Sequence, residues 1–173
     1  PAKYPEEIVE FFLKIFTKQD DNVLDPMCGT GSTIISCLEN KRNGYGIELN
    51  DSFSKIANDR CFEFYNPNQP LLFKETKEKK NYFIKNIDAR KIKSSDFPKI
   101  NYIITSPPYW DMLNEKGFEN QQKRRNMNLK LNYSESKDDF GNIENYDQFL
   151  EELSQFYVNL SNLLSRNGIL TVI

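Results

Sequence analysis

Short apolar runs and amphipathic stretches take turns along these 173 residues, and that alternation narrows the fold more than any other feature. Val23-Leu24-Asp25, Tyr45 to Leu49, Tyr82 to Asp88, Ile100 to Thr105 and Ile169 to Ile173 have the length and β-branched or aromatic content of strands. Helix-period segments separate most of them. Strands joined through helices cannot pair as tight hairpins; they pair in parallel and bury both faces under helices. The expectation is an α/β protein, a parallel sheet flanked by helices, with residues 1–173 forming one domain.

The helices can be placed by their caps and apolar spacing. Pro5 opens the first, with Glu6 and Glu7 at the positive end of its dipole and Ile8, Phe11, Phe12, Ile15 and Phe16 as its expected inner face. Ser32 to Leu38 is the second, and a third starts at Asn50 or Asp51 with Phe53, Ile56, Ala57, Cys61 and Phe64 at helical spacing. A long one follows Asn145, with Phe149, Leu150, Leu153, Phe156, Tyr157, Leu160 and Leu164 on one side, and Gly168 is expected to end it. Residues 66–80 and 111–144 read as loops. The second has Lys116, Lys123, Arg124, Arg125 and Lys130 ahead of Glu135, Asp138, Asp139 and Glu144.

Chemistry collects at the carboxyl ends of the strands. The run Ile100 to Ile104 stops on Thr105-Ser106-Pro107-Pro108-Tyr109-Trp110. Proline has no N–H for a ladder and restricts the residue before it, so the chain must leave the sheet there. Asp25, Glu48 and Asp88 also stand at strand ends, where open α/β sheets bind ligands. Asp25 leads into Pro26-Met27-Cys28-Gly29-Thr30-Gly31, whose paired glycines let backbone approach a ligand at the start of a helix. No Gly-Lys-Ser/Thr follows, and Ile34 stands where a dinucleotide fold has its third glycine. An acid directly before the loop repels pyrophosphate and suits a cationic, amino-bearing ligand. Glu48, 17 residues past Gly31, is near the position of a ribose-binding carboxylate.

Composition removes other chemistries. Lys and Arg total 23 against 25 Asp and Glu, a net charge of −2, so nucleic acid could be held only by local basic patches. The chain has no histidine, and Cys28, Cys37 and Cys61 form no Cys-x-x-Cys pair. A disulfide framework, a His-bearing metal site and a Ser-His or Cys-His nucleophile are all disfavoured, and no metal is expected. No apolar run nears the ~20 residues of a membrane span, so no membrane partner and a cytoplasmic location are expected.

Asp25 to Gly31 resembles the S-adenosylmethionine loop of DNA amino-methyltransferases, and Thr105-Ser106-Pro107-Pro108-Tyr109-Trp110 resembles their catalytic motif. Pro1 to Glu7 is similar to the segment that closes over the methionine part of their cofactor. The resemblance implies a Rossmann-like methyltransferase fold, S-adenosyl-L-methionine as cofactor and DNA as partner. It assigns the cofactor to Lys3, Pro5, Asp25, Pro26, Met27, Cys28, Gly29, Thr30, Gly31, Glu48, Leu49, Asp88, Ala89 and Ser106. Glu48 would take the ribose hydroxyls and Asp88 the adenine amino group. Ser106, Pro107, Pro108 and Tyr109 would be catalytic, and Tyr109, Trp110, Lys123, Arg124 and Arg125 would meet the DNA.

Ser before Pro-Pro-Tyr is typical, within that family, of action on the cytosine amino group, so the expected product is N4-methylcytosine in a restriction–modification setting with a cognate endonuclease. The alternatives are N6-adenine methylation, guanine-N2 methylation of transfer RNA, whose usual motif is Asp-Pro-Pro-Tyr-Gly, and a catalytically idle binding module. Methylation at cytosine carbon 5 is disfavoured because no Pro-Cys dipeptide supplies its nucleophile. The family sheet has seven strands and five are readable here. The expectation is therefore a domain cut off after its fifth strand with an apolar edge exposed, residues 111–144 being an insertion, and a target-recognition segment lying elsewhere.

Overall fold

The structure, a computed structural model, describes residues 6–67, 81–107, 110 and 140–173. Among these residues five strands form one sheet: β1 (Asn22–Asp25), β2 (Asn43–Glu48), β3 (Tyr82–Asn86), β4 (Ile100–Thr105) and β5 (Leu164–Val172). Every pairing is parallel and the order is β3-β2-β1-β4-β5. After β3 the chain crosses back over β2 and β1 to lay down β4, so the order reverses between β1 and β4. That is the switch point where the carboxyl ends part and leave room for a ligand.

Helices α1 (Glu6–Phe16), α2 (Ser32–Glu39) and α3 (Asp51–Tyr65) cover one face, and α4 (Tyr146–Leu163) lies on the other. Asn50 caps α3 by accepting the Phe53 N–H, and Asn145 caps α4 by accepting the Gln148 N–H. On the first face Val9, Leu13, Val23, Cys37, Tyr102 and Ile104 pack together, and Cys28, Ile34, Ile35, Leu38 and Cys61 form a second cluster. On the other face Leu24, Ile47 and Ile103 meet Phe149, Phe156, Leu160 and Leu163 of α4.

Three expectations change. The inner face of α1 is Val9 and Leu13, with Phe12 beside them, while Phe11 is 60% and Ile15 55% exposed. Glu6, Glu7, Glu10 and Lys14 mark one polar side, but the apolar arc opposite is broad, so the period alone does not choose which part of it is buried; the arrangement of Tyr102, Ile104 and Val23 beneath it does. Phe140, expected within a solvated loop, is buried in the α4-side core, at the start of the short turn Phe140–Asn142, with its ring edge-on to Phe149 and Phe156. Gly168 does not end a helix. α4 stops at Leu163, and β5 runs from Leu164 through a register jump: Leu164 faces Ile100, but Ile169 faces Tyr102. Gly168 sits in that bulge, where a Cβ would come within 2.8 Å of Leu164 Cδ2.

Among the described residues β5 is one edge of the sheet, with Ile169 and Val172 exposed. Among them, too, no helix is long and apolar enough to cross a membrane.

Candidate functional site

The strand-end acids are stepped rather than level. Asp25 is in register with Gly46, and Glu48 with Asn86, so each acid stands two residues, about 7 Å, beyond the one on the strand before it. An even offset keeps Asp25 and Glu48 on the same face of the sheet, the face of α2 and α3.

Asp25 is 1% exposed and organises the loop that follows it. Its Oδ1 accepts the Met27 N–H at 3.0 Å and its Oδ2 accepts the Thr33 hydroxyl of α2 at 2.6 Å. The loop is also tied to β2, because Cys28 N–H donates to the Ile47 carbonyl and Gly29 N–H donates to Glu48 Oε2 at 2.8 Å. The other Glu48 oxygen accepts the Asn50 N–H at 2.7 Å. Gly31 has φ +83° and packs so closely on α3 that a Cβ would lie 2.9 Å from that of Ala57. Gly29 also has positive φ, +54°, yet a Cβ there would meet none of the described residues within 4 Å. The loop is thus close-packed below and open above. Pro26 and Cys28 are buried in it, while Met27 and Thr30 are half-buried.

Beyond β3, Asp88 is buried and caps the turn Ala89–Lys91, accepting the Arg90 N–H at 2.9 Å. The Arg90 guanidinium folds back on it, Nε at 3.1 Å from each oxygen and Nη2 at 2.9 Å from Oδ2, and also pairs with Glu152 of α4. Arg90 lies over the Phe140 ring at 5.0 Å. Asp88, expected to receive an adenine amino group, is therefore also the anchor of an arginine that joins β3, the 140–142 turn and α4. Ala89 is buried beside it, and Leu49 lends its carbonyl to Asn86 Nδ2 at 2.9 Å.

At the end of β4, Ser106 is half-buried and Pro107 buried. Thr105 is wholly buried and its hydroxyl has no hydrogen-bond partner among the described residues. Trp110, expected at the DNA, donates its indole N–H to the Ile143 carbonyl at 3.1 Å and sets its ring edge-on to Tyr146. It braces the start of α4. Lys3, Pro5, Pro108, Tyr109, Lys123, Arg124 and Arg125 lie outside the described residues.

Burial raises the pKa of all three thiols, with the charges of Asp25 and Glu48 adding to it at Cys28; Cys61 is pushed up to about 12. None is a thiolate near neutrality, which removes cysteine as a nucleophile here. Arg60 on α3, which no motif marks, donates to the Thr30 carbonyl at 2.7 Å and pairs with Glu6 at 3.1 Å. Its only sequence signal is its place three residues after Ala57, on the same side of the helix.

Residues 1–59 match the family described as DNA methylase. Over 59 residues the chain is 39% identical to the Type II methyltransferase M.MjaI of Methanocaldococcus jannaschii, a match covering 34% of this chain and 20% of that protein. It is 33% identical over 64 residues to the Type II methyltransferase M.BglI of Bacillus subtilis, covering 37% and 18%. The matched stretch thus spans no more than about a fifth of these relatives. Among solved structures, an rRNA methylase from Streptococcus thermophilus superposes with a TM-score of 0.55 at 11% identity, covering 99% of this chain and 71% of that one. An S-adenosylmethionine-dependent methyltransferase from Clostridium acetobutylicum gives 0.53 at 14%, covering 96% and 48%. The fold is the Rossmann-like fold of S-adenosylmethionine-dependent methyltransferases.

Proposed function

We propose that this chain carries the cofactor-binding and catalytic centre of an S-adenosylmethionine-dependent DNA amino-methyltransferase, and that the methylated group is the N4 amino group of cytosine. The observation that carries the proposal is the joining of Glu48 to the Gly29 N–H across β1 and β2, with the chain leaving β4 at Ser106-Pro107 beside them, at the switch point of the sheet. The match of residues 1–59 to a DNA methylase family and the Type II methyltransferase relatives support it.

The space at Gly29 fits a cofactor lying over the loop, since a Cβ would occupy volume that none of the described residues fills. Glu48 would accept hydrogen bonds from its ribose, Asp88 from its adenine amino group, and the Cys28 to Gly31 backbone would meet its amino acid part. When bound, the cofactor supplies an electrophilic methyl group.

The chain's own task is to make a poor nucleophile react. An exocyclic amino nitrogen has its lone pair delocalised into the ring. Ser106 Oγ and the Pro107 carbonyl, at the end of β4, would accept hydrogen bonds from its two hydrogens and draw it toward tetrahedral geometry. Transfer would exchange the sulfur–methyl bond of the cofactor for a nitrogen–methyl bond, leaving S-adenosylhomocysteine, and the nitrogen would release one proton to solvent, with no covalent bond to the protein. Tyr109 would stack on the extruded base, and Lys123, Arg124 and Arg125 would hold flanking phosphates. Such an activity belongs opposite an endonuclease of the same recognition sequence.

The test is to incubate DNA with the protein and labelled cofactor, digest to nucleosides and identify the labelled one. N4-methylcytosine supports the proposal. Label in N6-methyladenine overturns the base, and label only in RNA overturns the DNA substrate.

A further inference from the structure

Three segments distant in sequence meet at one side chain. The guanidinium of Arg60 donates from Nη1 to the Thr30 carbonyl at 2.7 Å and to the Ser32 hydroxyl at 3.2 Å, and from Nη2 to Glu6 Oε1 at 3.1 Å. It therefore touches the glycine loop, the first residue of α2 and the first residue of α1. Two residues of α3 meet the loop at Gly31 and the carbonyl before it. Ala57 is small enough to admit Gly31 against the helix, and Arg60, on the same side, reaches past it to the carbonyl just before Gly31.

This contact sets the orientation of a peptide plane. The Thr30–Gly31 unit has its carbonyl held by Arg60, while the Gly31 N–H on its opposite edge donates to the Cys28 carbonyl at 2.8 Å. With both edges fixed, the plane cannot rotate, and the left-handed φ of Gly31 is maintained. The same guanidinium governs α1. Arg42 holds the far end of that helix, donating to the Thr17 hydroxyl at 2.9 Å and carbonyl at 2.8 Å, where the dipole is negative. At the near end Arg60 draws Glu6 to the glycine loop.

We infer that Arg60 is a positioning residue for the cofactor: it couples the shape of the glycine loop to the docking of α1, so that filling the loop and seating the helix assist each other. The inference rests on the cofactor site proposed above. The planar fork of arginine suits one cation that serves a carbonyl and a carboxylate at once; lysine keeps the charge but not that fixed geometry, and so should replace it only in part. Since any coupling between two sites is reciprocal, a ligand in the loop must also stabilise α1.

The experiment titrates S-adenosylmethionine into the chain by calorimetry and follows hydrogen exchange in residues 6–16 with and without the cofactor. Arg60→Gln should weaken binding about tenfold and Arg60→Lys by less, while Glu6→Gln should weaken it about fivefold. The double variant should be no weaker than Arg60→Gln alone, because Glu6 acts through Arg60. Cofactor should slow exchange in α1 of the parent chain and fail to do so in Glu6→Gln, with the cofactor-free melting temperature of each variant little changed. Parent affinity in Arg60→Gln, additive losses in the double variant, or cofactor protection of α1 that survives Glu6→Gln would each overturn the inference while leaving the cofactor site in place. A parent chain that binds no cofactor would overturn the site and the inference together.

Discussion

Glu48 accepts the Gly29 N–H at 2.8 Å. The acid that ends β2 is thereby fastened to the loop that leaves β1, and its second oxygen holds the Asn50 N–H at the start of α3. Glu48→Gln keeps the shape but replaces one acceptor by a donor, which must then face one of two N–H groups. Loss of a charge-assisted hydrogen bond is worth about 1.5–3 kcal/mol, so S-adenosylmethionine affinity should fall at least tenfold. Calorimetry measures it, with circular dichroism to verify the fold. Unchanged affinity would remove Glu48 from the cofactor site.

Ser106 offers a different signature. Its hydroxyl is proposed to strengthen its hydrogen bond only as the amino nitrogen becomes tetrahedral, so Ser106→Ala should lower turnover by about a hundredfold while cofactor affinity stays near that of the parent. Single-turnover methylation and calorimetry separate the two. A matched loss of affinity would place Ser106 at the cofactor instead.

Thr105 is wholly buried and its hydroxyl has no partner among the described residues; an unpartnered hydroxyl costs about 1–3 kcal/mol to bury. Thr105→Val replaces that hydroxyl with a methyl of similar size and should stabilise the fold by about 1 kcal/mol, read from urea unfolding. Destabilisation would mean that the hydroxyl has a partner in solution.

The buried thiols predict alkaline sensitivity. Cys61 rises from its ordinary 9.0 to about 12 through burial, so its folded pKa exceeds its unfolded one. Its contribution to stability is complete below about pH 9 and is lost as pH climbs toward 12, at roughly 1.4 kcal/mol per pH unit. Urea unfolding between pH about 8 and about 10.5 should show a falling stability, and Cys61→Ala should make the fall shallower by that slope. An equal slope in the variant would contradict the burial argument.

Much of this protein is local and therefore legible in the sequence. β4 runs from Ile100 to Thr105 as its composition and the prolines behind it require, and Asn50 and Asn145 cap the helices they precede. The glycines of the loop, the acids at the strand ends and the α/β alternation follow from backbone chemistry that acts within a few residues. Contacts between distant segments are not written that way. The choice of Val9 and Leu13 over Ile8 and Phe11 depended on what lay beneath α1, because within a broad apolar arc the period does not say which part will be covered. Phe140 became core because the Arg90 and α4 side chains enclosed it. Arg60 could serve Thr30, Ser32 and Glu6 only after three separations in sequence had been closed, and a lone arginine mid-helix carries no local mark of such a role. Residue type and short-range spacing determined the strands, the loop and the acids; the tertiary packing alone decided which charges bind them together, since an ion pair is set by distance in space and not by distance along the chain.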